Sequence, residues 1–285
     1  MREALQEPAM SSEMSMMLAA ARAAGEALLL HHARREAVDI RRKAAGEFVT
    51  EADTLAESLL RERLLQPGDG WLGEEGGPAG ARHARRRWIV DPLDGTTNFL
   101  HGLGHWAVSI ALEEDGAIIA GVIHDPLAGK TFRAETGGGA WLDGAPISAA
   151  PTRDLDAALF ATGVPFGEMP WLGDALADIG RLMPRCAGLR RMGAAALDMA
   201  NVAAGRLDGY WERRLQPWDF AAGVVIVREA GGVVAPICAG DDLLAEGSVI
   251  AAAPGVFAPF AAIIRADSAA GADTALPPGG RGLSS

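Results

Sequence analysis

The sequence predicts an α/β (α+β) protein in which helices pack on mixed sheets, and three patterns point to it. Ala, Leu and Met recur at helical spacing around charged positions from Ser12 to about Val38. The middle of the chain is a series of apolar, β-branched runs: RWIV, WAVSIALEE, IIAGVIHDP, KTFRAE and AWLDG. Turn signals such as Asp115-Gly116 and Asp125-Pro126 divide them. The last third alternates strand and helix patterns. With 285 residues, 49% hydrophobic and 22% charged, a sizeable core is feasible.

Residues 1 to 11 read as a loose leader, followed by the amphipathic helix. RRKAAGEF (41 to 48) breaks that pattern and is expected to be a loop. Thr50 opens a second helix, TEADTLAESLLRERLL, which ends at Pro67-Gly68. WLGEEGG is a short strand running into an acidic loop, and the Gly-, Ala- and Arg-rich stretch from Pro78 to Arg87 an exposed connection. HWAVSIALEEDGAIIAGVIHD has the form of an antiparallel hairpin. Beyond it come a strand near ALFATG, a helix from about Trp171 to Met183, and a strand near GLRR. AALDMANVAAG is a helix and RLDGYWE a strand. A helix from Asp219 to Ala230 is stopped by Gly231-Gly232, and VVAP and SVIAAA close the series. The tail from 266 to 285 lacks apolar periodicity and is expected to be disordered. No repeat at a fixed period occurs. The expected organisation is one catalytic domain over 12–265, with subdomains of about 12–150 and 151–265.

A formal net charge of −11 and a pI of about 5.0 argue against direct nucleic-acid binding, which relies on a basic surface. Local basic clusters remain at Arg34, Arg35, Arg41, Arg42 and Lys43, and at Arg85 to Arg87. Two cysteines, Cys186 and Cys238, in no CxxC arrangement, make a disulfide scaffold or structural zinc site improbable. The N-terminal apolar stretch is interrupted by Arg22 and Glu26, unlike a secretory signal. No apolar run approaches the roughly 18 residues needed to span a bilayer. The expectation is a soluble cytoplasmic protein.

The most informative stretch is WIVDPLDGTTNF, 88 to 99. Two carboxylates three positions apart at the end of a buried strand suit Mg²⁺, which demands hard oxygen ligands. Pro92 restricts Asp91 to extended geometry, so a sharp turn is expected there. Asp91, Asp94 and the Leu93 carbonyl would then point into one cavity. Gly95 lets the backbone approach an anion, and a helix beginning near Thr96 would offer it free N–H groups. Turn chemistry alone accounts for Pro92, Asp94 and Gly95, but not for Asp91 directly after a buried strand. A haloacid-dehalogenase-type phosphatase, with its Asp-x-Asp-Gly-Thr nucleophile, is the sharper rival. Here the two acids are one residue further apart, and the run lies in mid-chain.

Other acids have the position to join them. Glu74 and Glu75 follow a strand end, although either alone reads as a solvated loop acid. Asp219, in QPWDFAAG, is expected as a helix N-cap, a role compatible with metal binding. Trp218 beside it reads as core. Asp53, three residues after Thr50, either completes a capping box or assists the Thr96 hydroxyl. Lys43 is by default a solvated charge. His101 and His105 lack a third soft ligand for zinc and read as supporting or surface groups.

These pieces closely resemble the inositol monophosphatase family, and among its branches the bacterial inositol-1-monophosphatase type. The resemblance runs from about Phe48 to Ala253. It rests on FVTEAD, GEE, WIVDPLDGTTNFLHG, GVIHDP…GKTFRAETGGGAWLDG, ALFATGVPF, GAAALDMANVAAGRLDGYWE and PWDFAAGVVIVREAGG. It implies a layered αβαβα sandwich, commonly a homodimer, using two or three Mg²⁺ ions and often inhibited by Li⁺. It implies metal binding by Glu74, Asp91, the Leu93 carbonyl, Asp94 and Asp219. Asp53 and Thr96 would activate water, with Glu74 beside them, and the Gly95 and Thr96 amides would hold phosphate. Gly193, Ala194, Ala195 and Glu212 would contact the alcohol, and Lys43 corresponds to a lysine on a mobile loop that here reads KAAGEF. The activity implied is hydrolysis of a small phosphate monoester, inositol 1-phosphate foremost. Relatives of the fold act on fructose 1,6-bisphosphate, histidinol phosphate, NADP or phosphoadenosine phosphate. One bacterial branch also serves transcription machinery.

Overall fold

In the strands of the chain's first half, side chains alternate between two separate cores, and that alternation sets the layers. The computed structural model describes residues 9–33, 40–42, 48–81, 84–164, 172–238 and 242–266. Lys43, most of the leader and nearly all of the tail lie outside them. Helix α1 (Ser12–His32) starts where the Ser11 hydroxyl accepts the Met14 amide at 2.9 Å. Strands β1 (Ile40–Arg42) and β2 (Phe48–Thr50) then pair antiparallel. The stretch expected as a loop thus begins and ends in strands, each too short to carry a period. Helix α2 (Glu51–Leu64) follows directly.

The next strands are β3 (Gly70–Gly73), β4 (Gly77–Gly80) and β5 (Arg86–Asp94), then helix α3 (Thr96–Leu100). After them come β6 (Ala107–Glu114), β7 (Ala117–Asp125), β8 (Lys130–Glu135), β9 (Ala140–Leu142) and β10 (Ala145–Pro146). They form an eight-stranded sheet of order β10-β9-β8-β7-β6-β5-β3-β4, antiparallel except for the β3–β5 pair. Two expectations are corrected here. The stretch from Pro78 includes the edge strand β4, where a missing proline N–H is tolerated. The chain also does not turn sharply at Pro92. Strand β5 runs on to Asp94 through a register shift between Asp91 and Asp94. The β6–β7 hairpin closes on Asp115 and Gly116, both at positive φ (50° and 81°), the geometry that favours Asp-Gly.

The second sheet has the order β12-β11-β13-β15-β14. Its strands are β11 (Leu159–Thr162), β12 (Gly188–Arg190), β13 (Gly209–Glu212), β14 (Val233–Pro236) and β15 (Val249–Ala252). Helices α4 (Leu172–Leu182), α5 (Ala195–Ala203), α6 (Pro217–Glu229), α7 (Leu243–Glu246) and α8 (Pro254–Arg265) complete it. Neither α7 nor α8 is legible in the sequence pattern. In α8, Gly255 and Pro259 interrupt the apolar period. Gly255 is there because a Cβ would lie 2.3 Å from the Thr152 carbonyl.

Three cores fill the four interfaces between five layers, the middle one covering both faces of α5 and α6. Trp88, Val90, Val108 and Ile110 face α1 and α2, where Met14, Leu28, Ala56 and Leu60 are buried. Ile89, Ala107 and Ala111 face the opposite way, onto α5 and α6, whose far side meets Tyr210, Val249 and Ala251 of the second sheet. Their strand neighbours Trp211 and Ile250 point outward onto Phe260 and Ile264 of α8. The result is the αβαβα sandwich. Small residues bring its middle together: a Cβ on Gly121 would sit 2.7 Å from the Ala222 carbonyl, so β7 and α6 touch backbone to backbone. Among the described residues no helix is long and apolar enough to cross a membrane.

The outer layer is tied by Asp178 of α4, fully buried, which accepts Arg213 Nε at 2.7 Å and also a bond from Arg181. Asp178→Ala is expected to lower stability by roughly 2–3 kcal/mol, because two guanidinium groups lose a charged acceptor. Urea unfolding measures it.

Candidate active site

The C-terminal end of β5, the loop after β3 and the N-terminal ends of α5 and α6 meet at one cavity of about 330 Å³. Its wall contains Glu74, Asp91, Leu93, Asp94, Gly95 and Thr96 from the first sheet's side. Gly193, Ala194, Ala195, Glu212 and Asp219 come from the other. These segments are far apart in sequence, and sheet topology brings them together. Asp53 is not part of this lining. It is buried on the first turn of α2, only 2% exposed. Lys43 lies outside the described residues.

Each aspartate is held by backbone donors. Asp91 accepts the Leu93 amide at 2.9 Å. Asp94 accepts the amides of Ala195 at 3.2 Å and Ala196 at 2.8 Å, at the start of α5. Asp219 accepts the Gln216 amide at 2.7 Å. The N-cap of α6 is therefore Gln216, and Asp219 is the N3 member of a capping box rather than the cap itself. Pro217 at N1 explains the offset, since it moves the helix start two residues upstream. The Glu74 amide donates to the Val90 carbonyl at 3.3 Å, which holds that acid beside Asp91. The Thr96 hydroxyl donates to the Leu93 carbonyl at 3.0 Å. Among the described residues, no three His, Cys, Asp or Glu side chains close on a single metal-sized point. An ionised carboxylate has about four acceptor positions, so these bonds leave lone pairs over for a further ligand.

Burial dominates the electrostatics of these acids, and their crowding adds to it. Burial, then the charges of Glu74, Asp94 and Asp219, push Asp91 well above the carboxylate range. Burial and the charges of Glu74 and Asp94 do the same to Asp219. Burial raises Asp94 to about 7 against the pull of the Ala196 amide and His105. Glu212 is also raised to about 7, chiefly by burial, although the Tyr210 hydroxyl bonded to it pulls the other way. Gly163 makes room for that carboxylate, since a Cβ there would lie 2.0 Å from it.

Several lining residues escape a sequence reading. Asp198 sits one turn into α5, and its carboxylate meets His105 Nε2 at 3.1 Å. Burial disfavours the charged form of His105, yet the bond and charge of Asp198 prevail and its pKa is raised. His105 thus supports the site through Asp198 rather than standing at the surface. The amide group of Asn98 donates to the carbonyls of His105 at 2.7 Å and Met192 at 2.9 Å, tying α3 to the glycine turn before α5. Arg191 and Arg214 line the rim, and Trp218, expected in the core, both packs on it and lines the cavity. The available signals were Asp198's spacing of one helical turn from Ala194 and the arginine two residues before Gly193.

A model of the inositol monophosphatase family matches residues 10–268. An inositol-1-monophosphatase of Mesorhizobium japonicum is 42% identical over 245 residues, 85% of this chain and 92% of that protein. The Nus factor SuhB of Escherichia coli K12 is 39% identical over the same shares. The crystal structure of the extragenic suppressor protein suhB from Bartonella henselae superposes with a TM-score of 0.86. It is 39% identical, and the match covers 90% of this chain and 99% of that one.

The acidic cluster makes stability pH-dependent. Asp94 and Glu212 titrate near 7 in the folded chain, against ordinary values of 3.8 and 4.5. Between those limits the folded chain binds more protons than the unfolded one, so stability falls as pH rises through that window. With chelator present, Tm is expected to drop by at least roughly 4 °C between about pH 5 and pH 8, read by scanning calorimetry.

Proposed function

The chain belongs to the inositol monophosphatase family, and we propose that it hydrolyses small phosphate monoesters in a Mg²⁺-dependent reaction, with inositol 1-phosphate as substrate. One observation carries the reading: Glu74, Asp91, Asp94 and Asp219, buried or half-buried, line a single cavity with Gly95, Thr96 and Glu212. Mutually repelling, desolvated carboxylates are a donor set suited to hard divalent cations, whose charge removes the repulsion. Glu74, Asp91, the Leu93 carbonyl, Asp94 and Asp219 would hold two or three such ions. When bound, they supply a water acidic enough to attack at neutral pH and offset the phosphate charge.

The chain's own groups do the rest. The Gly95 and Thr96 amides receive phosphate oxygens. Gly95, at φ 90°, has no Cβ to strike the His105 carbonyl, which would be 2.8 Å away. The Thr96 hydroxyl orients the attacking water. Its bond to the Leu93 carbonyl means that engaging Asp53, the proposed proton partner, requires the hydroxyl to turn. Glu212, titrating near 7, both accepts from and donates to alcohol hydroxyls, which fits a polyol leaving group beside Gly193, Ala194 and Ala195. Lys43 is assigned to the substrate on the resemblance alone. Inhibition by Li⁺, a homodimer and a cytoplasmic setting belong to the same proposal. A second reading, service as a Nus factor, is favoured by the 39% identity to the Escherichia coli protein. Capture of transcription proteins by a catalytically silent variant would support it.

The test is phosphate release from inositol 1-phosphate, with fructose 1,6-bisphosphate, histidinol phosphate and NADP alongside, with and without Mg²⁺ and Li⁺. Asp94→Asn is expected to lose at least about 100-fold in kcat while remaining folded; near-normal turnover would refute the metal assignment. Thr96→Ala should lower kcat by at least about tenfold with KM little changed, because a water-orienting hydroxyl acts in the transition state. A raised KM at constant kcat would assign Thr96 to binding alone.

A further inference from the structure

The loop that carries Glu74 is built around a carboxylate that does not line the cavity. Glu57 lies on α2, one helical turn after Asp53, and is 4% exposed. Its Oε2 accepts the Glu75 amide at 2.7 Å, and its Oε1 accepts the Gly76 amide at 3.0 Å. Trp71 Nε1, on the strand leading into the loop, donates to the same Oε1 at 3.3 Å. Two successive amides on one carboxylate form an anion nest, with charge-assisted bonds. The glycines on either side of the acidic pair make room for it. A Cβ on Gly73 would lie 2.4 Å from Glu57 Oε1, and one on Gly76 2.7 Å. Without a Cβ at either position, the loop backbone packs directly against the Glu57 carboxylate. Gly-Glu-Glu-Gly is therefore shaped by Glu57 as much as by the cavity.

Glu74 sits between two anchors. On one side its own amide holds the Val90 carbonyl, next to Asp91. On the other, the next two amides hold Glu57. Fixing the backbone on both sides of one residue fixes where its Cα–Cβ bond starts and so narrows the reach of its carboxylate, and Glu74 lines the cavity. A ligand held this way loses little freedom when a cation arrives, so its affinity is higher than that of a loose loop.

We propose that Glu57 is a positioning residue: by holding the Glu75 and Gly76 amides it aims Glu74 at the cation side of the cavity, and so sets the affinity for Mg²⁺. It touches neither cation nor substrate. The inference rests on the metal-dependent reading above.

The test compares Glu57→Ala, Glu57→Gln and the exposed control Glu62→Ala in the full chain. Three readouts are needed: Mg²⁺ titration of phosphate release, Mg²⁺ binding by calorimetry without substrate, and amide hydrogen exchange across residues 72–78. Glu57→Ala should raise the half-saturating Mg²⁺ concentration at least about tenfold in both titrations, as loss of an orienting partner does. It should also speed exchange at Glu75 and Gly76, with kcat at saturating Mg²⁺ within about threefold of the parent. Glu57→Gln, whose one oxygen retains one amide, should fall between, at about threefold or more, and decides the matter if the alanine variant fails to fold. Glu62→Ala should match the parent. Faster exchange with Mg²⁺ half-saturation within about twofold of the parent would overturn the proposal, leaving Glu57 a purely structural anchor. If Mg²⁺ binding weakens as expected but no phosphate monoester is hydrolysed, the phosphatase reading fails and the positioning role stands. A parent chain that binds no Mg²⁺ would sink both.

Discussion

The two bonds from the Ala195 and Ala196 amides to the Asp94 carboxylate join the halves of this molecule. Asp94 ends the last residue pair of β5 with β6, and the two alanines begin the helix sandwiched between the sheets. A buried carboxylate is costly without donors, and the unsatisfied amides of a helix start are costly without acceptors. Each meets the need of the other. Asn98 with the Met192 carbonyl and His105 with Asp198 repeat the link within a few residues. Because Asp94 also faces the cavity, docking of the layers and assembly of the site are one event.

That economy has a counterpart in charge. Glu74, Asp91, Asp94 and Asp219 come from three chain segments; beyond burial, the charges of Glu74 and Asp94 raise the pKa of both Asp91 and Asp219, so the folded state carries repulsion that the unfolded chain does not. The backbone bonds to Asp91, Asp94 and Asp219 offset part of it. The alanine- and valine-rich core around α5 and α6 supplies the rest through close packing. A rigid, apolar middle layer is what allows an acidic cluster to be held so near the sheets. The strain belongs to function, and the packing beneath tolerates it.

Missing side chains shape the cavity as much as present ones do. Gly163 leaves space for the Glu212 carboxylate, Gly95 for the His105 carbonyl, and Gly73 and Gly76 for that of Glu57. At Gly95 and Gly193 a positive φ adds a second requirement. A carboxylate packed against backbone has no room to swing, so these glycines convert chemical groups into fixed directions.

Much of this was legible in the chain alone. Apolar runs divided by turn signals located strands β6 to β8; in β6 and β7 one face packs toward α1 and the other toward α6, which is why both faces are apolar. The run from Asp91 to Thr96 announced itself because acids rarely follow a buried strand without a purpose. Local pattern could not reveal β1, β2, β4 or α8, whose shortness, edge position or internal Gly and Pro leave no period to read. Nor could it reveal Glu57, Asp198 and Asn98, whose partners Trp71, His105 and Met192 lie 14, 93 and 94 positions away. The sequence by itself determined which residues are apolar, acidic or hinge-like, and hence the elements and the chemistry on offer. Only the tertiary structure decided which acids share a cavity, which way Asp219 caps its helix, and that Asp53 is buried on α2 and not among the lining residues. Those outcomes depend on through-space distance, which long-range strand pairing sets and no local spacing encodes.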